Sequence, residues 1–174
     1  MKNVMQKIID SIEKNLHDKN WYAALMLSLI LPDICAKVEG YSTSSSKRYS
    51  DWFDKYLNTK YKGFLSGNDC YALRCSILHE GTSITENQSS KDIIDRYYFV
   101  SEGSHCILIN NGYFGDPTID GKTFLELSVK QFCQDLIDAT NDWLNDQTIN
   151  KDYSKLLEIH ENGVSIGGGG IGIE

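Results

Sequence analysis

The feature that most constrains this chain is the segment from Trp21 to Leu31, an apolar run that ends at Pro32. It is apolar round most of a helical circumference, the pattern of a helix buried on nearly every side at the centre of a bundle. It falls short of the roughly 20 residues that cross a bilayer, so protein, not lipid, is its expected surrounding. The pattern predicts a helix from Trp21 to about Val38 with Asn20 as its cap. Pro32, which lacks an amide donor and crowds the preceding turn, should bend it, and Gly40 should end it.

Other helices are needed to cover this one, and the spacing supplies them. Met5, Ile8, Ile9, Ile12 and Leu16 predict a first helix of about four turns. After a serine-rich cap at Ser42 to Ser46, the stripe Tyr49, Trp52, Phe53, Tyr56 and Leu57 predicts a third helix, its aromatics read as core and not as a base-stacking platform. Ser66 and Asp69 form a capping-box-like start to a fourth, with Cys70, Leu73 and Ile77 buried and Gly81 as its stop. Ser128 and Gln131 open the clearest stripe of all, Val129, Phe132, Cys133, Leu136, Ile137, Thr140, Trp143 and Leu144. The expected fold is mainly α, a five-helix bundle.

Residues 82 to 92 read as a loop. Tyr97 to Val100 and His105 to Ile109 flank Glu102-Gly103-Ser104, which predicts a small β-hairpin inserted around 95–110. Asn111-Gly112 and Asp116-Pro117 add turns. A second possible hairpin at Asn162-Gly163 precedes Gly167 to Gly170, which lack the Lys-Ser/Thr partner of a phosphate loop and read as an extended C-terminal tail. At 174 residues, 41% apolar and 24% charged, the chain reads as one folded domain, residues 1–148, with a C-terminal extension at 149–174.

The N-terminus lacks the uninterrupted apolar stretch of a secretion signal, so a cytoplasmic protein is expected. Its five cysteines, Cys35, Cys70, Cys75, Cys106 and Cys133, include no pair two residues apart, so they are expected to be reduced and structural, with no metal and no cofactor. A net charge of −7 argues against a general polyanion-coating protein and confines any nucleic-acid contact to a local basic patch. Lys47, Arg48, Lys55, Lys60 and Lys62 form that patch. It reads either as a solvated helix face or as an RNA-backbone track led by Lys47 and Arg48.

The residues with chemical potential are Arg74 and His79, late in the fourth helix. Arginine carries a permanent planar charge that grips phosphate through paired hydrogen bonds and stabilises the extra charge of a phosphorane-like transition state. Histidine gives or takes a proton near neutral pH, and the negative end of a helix favours its charged form. RNA cleavage by its own 2′-hydroxyl needs only alignment, proton transfer and charge stabilisation. On a regular α-helix five residues set two side chains roughly 140° apart, so one helix alone makes a poor site; a long Arg side chain can reach round, and a two-fold dimer with this helix end in its interface is expected to bring two such pairs to a shared cleft. In the purely structural alternative, Arg74 pairs with Asp69 or Glu80 and His79 caps the helix.

The segment YALRCSILHEG, with its Arg74-x4-His79 followed by Glu80-Gly81, resembles the HEPN superfamily, whose defining pattern is R-x4-6-H. The likeness covers roughly residues 1 to 81 and 127 to 148. It implies a metal-independent endoribonuclease of a bacterial defence or toxin–antitoxin type, acting on RNA as a homodimer with an antitoxin or operon partner protein, and with Arg74 and His79 catalytic. Cys75 stands where many active members carry Asn, Asp or His. The alternative is a non-catalytic module of the same type that binds a nucleotide, RNA or a partner protein. A metal hydrolase built on His79, Glu80 and His105 lacks any HExxH or paired-carboxylate spacing.

Overall fold

The computed structural model describes residues 4–110, 115, 117–157 and 159. Helix α1, Val4–His17, buries Met5, Ile9 and Ile12, as its periodicity requires. The long apolar helix is two: α2, Trp21–Leu29, and α3, Leu31–Val38, with Ile30 at the joint and Pro32 in the first turn of α3. Proline costs nothing there, because the first amides of a helix have no partner to lose. Asn20 holds the N-cap position, but its side chain makes no capping bond. Gly40 ends α3 with a φ of +93°. By length and hydropathy alone Trp21–Val38 could cross a membrane, yet half of it is buried inside this fold.

Helix α4, Ser45–Tyr61, is capped by Ser44, and its Tyr49, Trp52, Phe53 and Leu57 are fully buried. The aromatic stripe is therefore core. Helix α5, Gly67–Cys75, starts at Ser66, whose hydroxyl accepts the Asp69 amide at 3.1 Å. Gly67 lets α5 cross α4 closely, since a Cβ there would lie 2.5 Å from the Ser50 carbonyl oxygen. Beyond Cys75 the helix widens into a π turn, Ser76–Glu80, closed by Gly81 at a φ of +67°. Helix α6, Val129–Asn145, carries the long apolar stripe, with Ser128 accepting the Gln131 amide as its cap. Counting α2 and α3 as one bent rod, and the π turn with α5, gives the expected set of helices.

The strands depart from expectation. Strands β1, Arg96–Val100, and β2, Ile107–Ile109, do not form a hairpin: both pair with β3, Phe124–Ser128, in the order β1-β3-β2. Strand β1 runs parallel to β3 with Arg96 opposite Phe124, and β2 runs antiparallel to it with Ile107 opposite Glu126. The central strand was invisible to alternation because Phe124, Leu125, Leu127 and Ser128 are all buried, which is what a strand covered on both faces looks like. The Tyr97 hydroxyl donates to the Asp69 carbonyl at 2.9 Å and ties the sheet to α5.

The first residues of the C-terminal extension pack on the bundle: Ile149, Tyr153 and Leu156 lie against the core, and the Asp152 amide donates to the Val38 carbonyl at 3.0 Å. The Asn111-Gly112 turn, the hairpin around Asn162-Gly163 and the glycine run lie outside the described residues, as does Asp116.

Candidate active site at the end of α5

The π turn corrects the expectation that one helix cannot bring Arg74 and His79 together. In an α-helix the neighbours along one face are three and four apart, whereas a π turn is closed by bonds between residues five apart. Widening the backbone over Ser76–Glu80 swings His79 back toward Arg74, and Arg74 Nη1 lies 3.0 Å from His79 Nε2. The five-residue spacing thus works within a single chain. The end of the turn is secured by the Thr82 amide on the Ser76 carbonyl and the Gly81 amide on the Ile77 carbonyl, both 3.2 Å.

The contact assigns roles to the atoms. A guanidinium only donates, so His79 Nε2 must accept with its lone pair and the ring hydrogen sits on Nδ1. Nε2 is thereby the accepting atom of the pair.

Arg74 is not paired with Asp69 or Glu80. Its Nη2 lies 3.6 Å from Asp33, whose other oxygen accepts from Arg48 Nε at 2.9 Å. All three side chains are mostly enclosed, Arg48 and Arg74 18% exposed and Asp33 19%. One carboxylate serves two guanidiniums, so the cluster keeps a net positive charge. Asp33 lies in the first turn of α3, where the positive helix end favours an anion. The break at Pro32 is what puts it there. Tyr71, one turn before Arg74, sets its ring 6.0 Å from the guanidinium carbon, and Arg74 Nη1 also lies 4.0 Å from the Cys75 sulfur. Arg74 Nε is buried without a hydrogen-bond partner.

The two rejected partners are otherwise engaged. Asp69 is buried and accepts the amides of Asp92, Ile93 and Ile94 at 2.9 to 3.1 Å; burial nevertheless shifts its carboxyl upward from its ordinary value. Glu80 accepts from the Gln88 amide nitrogen at 2.8 Å.

The rest of the basic patch is dispersed and largely neutralised. Lys47 pairs with Asp51 at 2.9 Å, Lys55 with Glu39 at 2.8 Å and Lys60 with Asp135 at 2.6 Å. Only Arg48 reaches the Arg74 cluster, through Asp33. His105 packs against Tyr61 and Asp135, not beside His79 and Glu80. Among the described residues no three His, Cys, Asp or Glu side chains are grouped to hold a metal. All five cysteines are free. Burial pushes the Cys70 thiol up to about 12 and that of Cys133 to about 11, which makes them poor nucleophiles.

His79 is exposed. Two concavities among the described residues lie away from His79: one of about 450 Å³ is lined by Asp54, Lys62, Phe64 and Asp92, and one of about 380 Å³ by Lys60, Asp135, Asp138 and Asp142. The His79 end of the pair opens onto solvent while Arg74 is mostly enclosed, a geometry suited to an extended strand laid across the helix end and not to a small enclosed ligand.

Comparison of the chain with family models, curated proteins and solved structures finds no match. The functional reading therefore rests on the geometry of Arg74, His79, Asp33 and Arg48.

Asp33 is the one member of this cluster that sequence reasoning missed. Its signal was present, a proline and an acidic residue in succession mark a helix start, but nothing local says which arginines that carboxylate meets.

Proposed function

We propose that this chain is a metal-independent endoribonuclease of the HEPN type, of the kind used in bacterial defence and toxin–antitoxin systems. The observation that carries the reading is the 3.0 Å contact that joins the Arg74 donor to the His79 lone pair. When RNA binds, its 2′-hydroxyl displaces Arg74 Nη1 from the single lone pair of His79 Nε2, the freed Nη1 turns to the phosphate, and Nε2 takes the hydroxyl proton while that oxygen attacks the adjacent phosphorus. The bond from phosphorus to the 5′ oxygen breaks, and the departing oxygen takes a proton from solvent. The products are a 2′,3′-cyclic phosphate and a 5′-hydroxyl. Arg74 has donors left for the non-bridging oxygens, because its Asp33 contact is longer than a hydrogen bond and offsets charge without consuming one. Arg48 holds a neighbouring phosphate, and Lys47 on the same helix exchanges Asp51 for the RNA backbone. A second copy of the chain covers the open face of the site, and an antitoxin or operon partner protein restrains it in a cytoplasmic setting.

The second reading is a non-catalytic module of the same type that binds a nucleotide, RNA or a partner protein. Asp33 favours it, since this internal carboxylate already occupies the arginine pair. One experiment separates the two. Purified protein incubated with mixed RNA in EDTA should cleave it, leave cyclic phosphate ends and spare DNA, which has no 2′-hydroxyl. His79→Ala should bind RNA like the wild type and not cut it. If both proteins bind RNA and neither cuts it, the module reading replaces the nuclease.

A further inference from the structure

A histidine outside the candidate site, His105, closes a hydrogen-bonded chain in which every direction is determined. It lies between β1 and β2, is 18% exposed, and accepts the Ser128 amide on Nδ1 at 3.2 Å. Its ring hydrogen is therefore on Nε2, 3.1 Å from the Tyr61 hydroxyl. Tyr61 donates onward to Asp135 at 2.8 Å, and Asp135 also accepts from Lys60 at 2.6 Å and Gln131 at 3.0 Å. One imidazole thus fastens the β1–β2 connection to α4 on one side and to the start of α6 on the other. The next residue, Cys106, is held at a φ of +58°, a left-handed conformation that a side chain resists. Relaxation of that backbone is available as soon as the ring lets go.

We infer that His105 is an acid-released latch: its protonation detaches residues 101–109 from the cap of α6. A proton can be added only at Nδ1, where it meets the Ser128 amide hydrogen head on. The acceptor is lost and two donors face each other beside the positive end of α6. The groups that face the ring are Tyr61 and Lys60 from α4 and Asp135 from α6. On the strand side Glu126 of β3 takes the Ser104 hydroxyl, and Cys106 adjoins the ring in the chain. Asp135 favours the imidazolium, but at 3.7 Å from Nε2 and already shared by Tyr61, Lys60 and Gln131 it does not compensate for the lost bond at Nδ1. Burial outweighs it and holds His105 below its usual value.

The latch is independent of the nuclease reading and is tested on the whole chain by amide exchange read by NMR at about pH 7.5 and about pH 5. After correction for the intrinsic pH dependence of exchange, the wild-type Ser128 amide and those of 105–109 should lose protection as pH falls from the ordinary histidine value of 6.5 through the lowered one, by at most roughly tenfold per pH unit. His105→Gln should show no such change, because its side-chain oxygen accepts from Ser128 and does not titrate. The imidazole nitrogen shifts of wild-type His105 should report Nε2–H at the higher pH and titrate together with Ser128 protection, a readout that stands even if the variant folds poorly. Unchanged Ser128 protection across the titration of His105, or an equal loss in a folded His105→Gln, overturns the proposal.

Discussion

An ammonium at position 74 would match the charge of Arg74 but not its fork of donors, one of which is spent on His79. Arg74→Lys should therefore leave overall RNA affinity nearly intact and lower kcat by roughly 10²–10³, the usual cost of one transition-state donor; single-turnover cleavage of a defined RNA measures it. Asp33 gives a sharper test, because it holds Arg48 and Arg74 while competing with phosphate for them. In Asp33→Asn the competing charge is gone and the aim of Arg74 is loosened. RNA binding should tighten severalfold while turnover falls. Weaker binding with unchanged turnover would show that Asp33 neither competes nor positions.

Between elements, the placement of the site depends on how closely α5 can approach α4. Gly67 sits against the Ser50 backbone, where an added methyl would come within 2.5 Å of the carbonyl oxygen and 2.6 Å of Cα. Backbone cannot swing aside as a side-chain tip can, so in Gly67→Ala the two helices must separate. Overpacking of this kind costs about 1–3 kcal/mol, and urea denaturation should show it. The same displacement carries Arg74 away from Asp33 and Arg48, so residual activity should fall further than stability alone accounts for. The π turn is a second interelement decision. It leaves the Ser76 hydroxyl buried and unpartnered and widens the helix, and it is accompanied by the Arg74–His79 contact. It also explains why an α-helical wheel misplaces the pair.

For the molecule as a whole, stability should depend on pH through His105. Its folded-state affinity for a proton is lowered by burial, with Asp135 opposing and Lys60 assisting, so the unfolded chain binds the proton first as pH falls. The stabilisation is complete above the ordinary histidine value of 6.5 and is lost as pH drops from there through the lowered one. Denaturant curves at about pH 7.5 and about pH 5 should show a loss for the wild type that exceeds the change in His105→Gln, the difference having a slope of at most about 1.4 kcal/mol per pH unit. Equal slopes in the two proteins would remove His105 as the source. What the sequence determined by itself was the helices, whose signals have a short period, though not the local hairpin read between β1 and β2 or a capping bond from Asn20. The stripes of α1, α4 and α6, the caps at Ser44, Ser66 and Ser128, and the stops at Gly40 and Gly81 are set by residues within a turn or two of one another. Pro32 announced its break in the same local way. The pairing of β1 and β2 with β3 was decided only in three dimensions, because a strand buried on both faces carries no alternation and its partners are chosen by what lies above and below it. The meeting of Arg48 and Arg74 on Asp33 and the chain from His105 to Asp135 belong to the same class. Each joins residues from separate elements, and electrostatics selects such partners only after packing has brought those elements within a few ångströms.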